Sequence, residues 1–394
     1  MKTGIWRGVI TISGKKELPF NFEIFEKDSL KKMVIINGDE RLEVDEVVQV
    51  GDSVWMKMLI FDTEIKGVVR ENEITGIWVK NAFKNTTKNG IPSPYELPFK
   101  AKFNEKRRFL DETNPENLDI SGKWSVSFMN ENGEINNSVG VFQQNNNRLT
   151  GTFLTTTGDY RYLEGVVTNK QLKLSCFDGE HAYLFEANIQ DSNIIKQGDF
   201  WSGKSGHEIW EGKKDSLAAL PPAESLTFLK KGYDKLSFSF PNLEGKKISL
   251  DAPQFKDKVV IVQLFGSWCP NCMDETQFLA PFYKKNKDRG LEIIGLAYER
   301  SSKFEKAKQQ VERIRQRFGV EYTMLIAGTD NKLDASKTLP MLNQVLAFPT
   351  TIFIDRKGIV RRIHTGFSGP GTGVYYEKFV EEFNVFVDKL LSEK

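Results

Sequence analysis

One stretch constrains this chain more than any other. Val259-Val260-Ile261-Val262-Gln263-Leu264-Phe265 is apolar and β-branched, the pattern of a strand buried on both faces. Gly266 and Ser267 then permit a tight turn. Trp268-Cys269-Pro270-Asn271-Cys272 follows, and an amphipathic run with Met273, Phe278, Leu279 and Phe282 begins at once. The order strand, turn, Cys-x-x-Cys, helix places the first thiol at a helix N-terminus. Unpaired backbone N–H groups and the helix dipole favour a thiolate there. Pro270 suits the first turn, where its missing N–H costs little.

Two cysteines at this spacing could also be half of a zinc site or two buried thiols. Zinc needs further ligands. The chain offers one other cysteine, Cys176, and three scattered histidines, His181, His207 and His364. None has ligand spacing to another, so the redox reading leads. Cys176 lies in a β-type run and reads as a small buried apolar residue.

At 394 residues the chain has room for two or three domains. A net charge of +2 gives no electrostatic footprint for nucleic acid. The basic cluster from Lys102 to Arg108 reads as a solvated loop. No run approaches the roughly 18 apolar residues of a membrane span. Three cysteines, two of them in one motif, leave no structural disulfide framework.

Residues 1 to about 112 read as short strands, among them Val9–Ile12, Phe20–Ile24, Met33–Ile36, Val54–Ile60 and Glu64–Val69. Asn37-Gly38 is a tight-hairpin signal. The pattern then restarts. Gly122-Lys123-Trp124 echoes Gly4-Ile5-Trp6, and Gly198-Asp199-Phe200-Trp201 echoes Gly76-Ile77-Trp78. Similar offsets point to a divergent tandem duplication, split near Asn114-Pro115. Each copy is expected to be a meander curling into a barrel or half-barrel, with its tryptophans plugging the core. No paired carboxylates with a histidine and no phosphate loop occur in either copy, so no catalysis is expected there.

Pro221-Pro222 and the lost strand pattern mark a linker. Beyond it strands and helices alternate. A hairpin spans Phe238–Leu250, strands run at Leu291–Ala297 and Tyr322–Ala327, and a helix at Phe304–Phe318 is stopped by Gly319. Asp334–Leu346 reads as helical, Thr350–Asp355 and Ile359–His364 as a hairpin, and Tyr375–Leu391 as the last helix. The expected organisation is multidomain: two antiparallel β, barrel-like modules (1–112 and 118–213), a linker (214–235), and an α/β domain (236–394).

This last part resembles the TlpA/ResA-type thiol-disulfide oxidoreductases of the AhpC/TSA-thioredoxin superfamily, which implies a thioredoxin fold. The resemblance rests on the entry hairpin Asn242-Leu243-Glu244-Gly245-Lys246, on Trp268-Cys269-Pro270-Asn271-Cys272, on Phe348-Pro349-Thr350, and on Glu275 three residues after the second cysteine. It implies that Cys269 attacks, that Cys272 resolves the mixed disulfide, and that Pro349 follows a cis bond facing the cysteines. Trp268, Phe348 and Pro349 would line the substrate side.

Thioredoxin itself has a buried Asp six residues before the first cysteine. Gln263 stands there and cannot ionise, which leaves Glu275 as the proton acceptor for Cys272. The uncharged Pro270-Asn271 pair suggests a reducing or middling couple. No cofactor is expected. The expected partners are a protein disulfide substrate and an upstream thiol electron donor, with no nucleic acid and no integral membrane segment. The family context implies the periplasm or outer cell surface, with a leader removed. Two alternatives are a thioredoxin-fold peroxidase, whose Pro-x-x-x-Thr-x-x-Cys pattern is absent, and a non-catalytic β-module scaffold.

Overall fold

A computed structural model describes residues 1–86, 92–110 and 118–393. The chain forms two compact units. The first comprises Met1–Leu154 and Tyr160–Leu220, the second Thr155–Asp159 and Pro221–Lys394.

The first unit holds two antiparallel sheets. Strands β1 (Gly4–Thr11), β2 (Glu17–Lys27), β3 (Leu30–Asn37), β4 (Glu40–Glu43), β5 (Glu46–Val50), β6 (Ser53–Met58), β7 (Thr63–Arg70), β8 (Glu73–Thr86) and β9 (Pro92–Phe103) make a half-barrel. Its order is β4-β3-β2-β1-β9-β8-β7-β6-β5. The Asn37-Gly38 signal is a real hairpin: Asn37 pairs with Glu40, and Gly38 takes φ +56°, which suits a residue without Cβ.

The second sheet contains β10 (Gly122–Asn130), β11 (Ile135–Asn145), β12 (Arg148–Thr155), β14 (Leu163–Thr168), β15 (Gln171–Phe177), β16 (Ala182–Asp191), β17 (Ile194–Ser202) and β18 (Gly206–Lys214), while the two-residue β13 (Gly158–Asp159) falls in the second unit. Pairing of β11 with β12 closes it into a barrel. Aromatic rings fill the interior, with Phe153 4.8 Å from Phe185 and Phe185 stacked on Phe200 at 4.3 Å. Cys176 belongs to this core, and burial raises its thiol pKa.

The echoed residues occupy matching places. Trp6 and Trp124 are both fully buried. Each donates its indole N–H to the carbonyl four residues upstream, Lys2 at 3.0 Å and Ile120 at 2.9 Å. Gly4 and Gly122, two residues before, share φ values of +122° and +114°. Trp78 is likewise buried, but its expected counterpart Trp201 is not in the barrel core. Strand alternation sends Phe200 inward and Trp201 outward, where it stacks on His207 with the Lys16 ammonium 4.2 Å from the ring. Trp210 takes the interior place. The split expected near Asn114-Pro115 lies outside the described residues.

Charge is buried where the two sheets meet, as in the pair Lys80–Glu180 at 2.6 Å. The reading of Lys102–Arg108 as a solvated loop fails at both ends: Lys102 and Phe103 belong to β9, and Arg108 turns inward. Arg108 is only 4% exposed. Its guanidinium donates to Ser175 O and Oγ, Ile36 O and Asn37 Oδ1, with Glu164 3.6 Å away. Five donors in a planar fork can satisfy several carbonyls at once, which a local charge count does not reveal. Arg108→Leu is expected to lower the stability of this unit by about 3 kcal/mol, because four buried acceptors lose a donor and Glu164 loses a neighbouring charge. Urea unfolding followed by tryptophan fluorescence would measure it.

In the second unit, β19 (Ser239–Pro241) and β20 (Lys247–Ser249) form the entry hairpin. Strands β21 (Val259–Phe265), β22 (Leu291–Glu299), β23 (Thr323–Thr329), β24 (Thr350–Ile354) and β25 (Val360–Thr365) form a mixed sheet ordered β23-β22-β21-β24-β25. β21 runs parallel to β22 and antiparallel to β24. All its residues are buried, as its unbroken apolar run predicts. The helices are α1 (Pro270–Asn286), α2 (Phe304–Phe318), α3 (Lys332–Thr338) and α4 (Val374–Ser392). α2 buries Ala307, Val311 and Ile314 and stops at Gly319 with φ +58°.

The helix expected over Asp334–Leu346 is shorter. Pro340 disfavours helical backbone at Leu339 (φ −127°, ψ 66°), so α3 ends at Thr338. Within the stretch read as a linker, Phe228 exchanges hydrogen bonds with Asn343, and the Lys230 N–H donates to Met341 O at 2.9 Å.

Candidate functional site

The site lies where β21 ends and α1 begins, at the centre of the mixed sheet. Gly266 is needed in the turn, because a Cβ there would sit 2.3 Å from Trp268 Nε1 and 2.8 Å from Tyr298 O. Cys269 is the N-cap of α1 and Pro270 its first residue. Cys269 and Cys272 are joined in a disulfide, with Cα atoms 5.2 Å apart. The Cys272 N–H points at Cys269 Sγ, 3.2 Å away. That is an orphan N–H of the first helical turn, so charge on this sulfur would be stabilised.

The Phe348–Pro349 peptide is cis, as the resemblance implies. The carbonyl oxygen of Phe348 lies 3.4 Å from Cys269 Sγ. Trp268 meets the Phe348 ring edge-on at 5.8 Å and donates its indole N–H to Tyr298 O at 2.9 Å. Asn271 donates from Nδ2 to the Asp159 carbonyl, 3.2 Å away in the same unit.

Glu275 is fully buried on α1, one turn beyond Cys272. Its Oε1 accepts from Thr351 Oγ1 at 2.6 Å and its Oε2 from Gln263 Nε2 at 2.8 Å. Burial pushes its pKa up to about 7, against the opposing pull of these two bonds and of His364. Gln263 also contacts Thr276 and Tyr322 through hydrogen bonds. The residue that cannot ionise therefore orients the one that can.

Trp268, Cys269, Cys272, Glu275, Phe348 and Pro349 are thus brought into one place by three elements: the β21–α1 turn, α1, and the loop entering β24. Sequence reasoning missed Thr351, Ser267 and Glu299. Glu299 closes β22 directly after the apolar run of residues 293–298, and it is fully buried with Ser267 as its hydrogen-bond partner. A carboxylate ending an apolar strand was the available signal. No group of three or more His, Cys, Asp or Glu able to hold a metal ion occurs among the described residues. Among the described residues no helix is long and apolar enough to cross a membrane.

The Redoxin family model matches residues 230–377. Thiol-disulfide oxidoreductase ResA of Halalkalibacterium halodurans is 29% identical over 152 residues, covering 39% of this chain and 74% of that protein. ResA of Bacillus subtilis is 28% identical over 138 residues, covering 35% and 69%. Among solved structures, a thiol:disulfide interchange protein of the thioredoxin family from Chlorobium tepidum matches with a TM-score of 0.31 and 22% identity, covering 44% of this chain and all of that one. Residues 230–377 thus match the Redoxin family model and are similar to ResA thiol-disulfide oxidoreductases, and a large β-rich region precedes them.

Proposed function

We propose that the protein reduces protein disulfides through Cys269 and Cys272. The observation that carries this reading is the Cys269–Cys272 disulfide at the start of α1, with the Cys272 N–H directed at Cys269 Sγ. In the reduced protein, the Cys269 thiolate attacks one sulfur of the substrate disulfide. A mixed disulfide forms and the first substrate thiolate leaves. Glu275 takes the proton of Cys272. The Cys272 thiolate then attacks Cys269 Sγ, closing the Cys269–Cys272 bond and releasing the second substrate thiolate. Two electrons pass to the substrate, and an upstream thiol donor restores the dithiol.

A base with a pKa of about 7 is matched to this work near neutral pH. Trp268, Phe348 and Pro349 form the substrate side, where an extended chain could pair with backbone beside Pro349. The uncharged Pro270-Asn271 pair favours a reductant over a strong oxidant. The family resemblance implies work in the periplasm or at the outer cell surface. We place the start of the catalytic domain near Pro221-Pro222, since residues 226–230 hydrogen-bond with 341–343. The two β modules would be repeats that position this domain or recognise its substrate.

Insulin reduction by the dithiol protein, with no other partner present, tests the reading. Turnover that depends on both cysteines supports it, and its absence refutes it. Glu275→Gln is expected to slow turnover by about 10²-fold and to remove the inflection near neutrality from the pH–rate profile. An unaltered profile would remove Glu275 from the proton path.

A further inference from the structure

The turn before Cys269 is gripped from β22. Glu299 Oε1 accepts the Ser267 backbone N–H at 2.9 Å, and Oε2 accepts the Ser267 hydroxyl at 2.5 Å. Tyr298 O accepts the Trp268 indole N–H, and the Arg300 guanidinium lies over the Trp268 ring at 5.5 Å. The last two residues of β22 and the one that follows them thereby hold two successive residues of the turn. The grip is firm because β21 and β22 are adjacent parallel strands, paired through Phe265 and Ala297. It is anchored on the other side by the Asp330 N–H, which donates to Glu299 O at 3.1 Å.

We propose that Glu299 is a positioning residue for disulfide exchange: its carboxylate fixes Ser267, and so sets where the Cys269 sulfur stands at the start of α1. The proposal rests on the dithiol reading above and adds a group which that mechanism does not use. Glu299 is too deeply buried to meet a substrate, so its influence passes through Ser267. Two bonds to one residue restrain both the height and the twist of the turn. The Cys269 N–H closes the same turn onto Gly266 O at 3.1 Å. A shift of the turn would carry Sγ away from the Cys272 N–H and from the Phe348 carbonyl together.

The chemistry of the clamp distinguishes it from ordinary packing. A hydrophobic residue at 299 would leave the Ser267 N–H and hydroxyl unpartnered in a dry site. Glutamine can keep both bonds, accepting from the N–H through Oε1 and donating to the hydroxyl oxygen through Nε2. The charged groups acting on the Glu299 carboxyl are Arg300, beside it in the chain, and Asp330, beyond β23. Burial holds its pKa up at about 7, so the clamp changes charge near neutrality. Glutamine removes that titration while keeping the restraint.

The test measures alkylation of Cys269 by iodoacetamide in the reduced full-length protein across pH 5–9, with the labelled cysteine mapped by mass spectrometry. Glu299→Ala is expected to slow labelling of Cys269 at pH 7 by about tenfold, as misplacement of a reacting group does. Glu299→Gln, which can keep both bonds to Ser267, is expected to recover the rate to within about threefold. Should Glu299→Ala fail to fold, Ser267→Ala serves instead. It removes one of the two bonds and is expected to slow labelling about threefold.

Folded Glu299→Ala, or Ser267→Ala, with a wild-type labelling profile would overturn the proposal. So would Glu299→Gln labelling as slowly as a folded Glu299→Ala. Because labelling needs no disulfide substrate, these outcomes are independent of the insulin assay. A protein inactive on insulin but with a Glu299-dependent labelling profile would refute the proposed substrate and leave the clamp standing.

Discussion

Cys269→Ser is expected to abolish disulfide exchange, lowering it by at least about 10³-fold. Cys272→Ser is expected to keep the first attack and to accumulate mixed disulfides with substrate. The asymmetry follows from position. Cys269 is the N-cap of α1 and retains 6% exposure even in the disulfide, whereas Cys272 has none. Only Cys269 has a helix N–H directed at its sulfur, and only Cys269 faces the Phe348 carbonyl. A thiolate forms there more readily and can be reached by an incoming disulfide. Cys272 sits one turn inside and needs a base before it can act.

Non-reducing electrophoresis of the two variants after incubation with a disulfide substrate would separate the roles. Stable adducts should form with Cys272→Ser and not with Cys269→Ser. If iodoacetamide labelled Cys272 faster than Cys269 in the reduced wild type, the assignment would be reversed.

How far the sequence was legible varied with the range of the interactions involved. The β21–α1 junction could be read because every signal there is local: an apolar run, a turn, an N-cap and an amphipathic helix. The closed barrel was partly legible from strand spacing and the restarted Gly-x-Trp pattern. Closure itself was not, since it depends on β11 meeting β12. Arg108 was misread because its acceptors, at Ile36, Asn37 and Ser175, lie 72, 71 and 67 residues away in the chain. Trp201 was misread because strand alternation fixes which of two adjacent aromatics faces in, and the echo was matched one position off that face.

In the catalytic unit, Glu275 was found from the resemblance, while Glu299 was not. Its partner Ser267 is 32 residues away, and only the parallel pairing of β21 with β22 brings them together. In the sequence, Gln263 reads as a loss of ionisation. Its role as a hydrogen-bond donor to Glu275 needed the neighbouring helix in place.

The two buried carboxyls also predict how the catalytic unit responds to pH. Glu275 and Glu299 each have a folded-state pKa of about 7 against an ordinary value of 4.5, in both cases through burial. Below about pH 4.5 both are protonated whether the unit is folded or not, and neither weakens the fold. As pH rises toward 7, the unfolded chain ionises first, so the equilibrium moves toward unfolding. Above about pH 7 both states are ionised and the loss is complete. A rise from 4.5 to about 7 corresponds to about 3 kcal/mol per group.

Glu292 and Asp330, raised by partial burial, add in the same direction. Glu224 has the opposite sign: its hydrogen bond with His364 holds it at about 2, so its contribution is lost only in acid, outside this window. Native-state hydrogen exchange at the β21 amides, corrected for the intrinsic rate, would follow this unit by itself. The protection free energy is expected to fall by several kcal/mol between pH 5 and 8. Glu275→Gln and Glu299→Gln should each remove a large part of that fall, and the double variant most of it, because an amide stays neutral throughout. Protection that stays level from pH 5 to 8 would mean that both carboxylates are solvated, and would withdraw the proton acceptor and the clamp together. A slope unaffected by either single variant would place the titrating groups elsewhere in the unit.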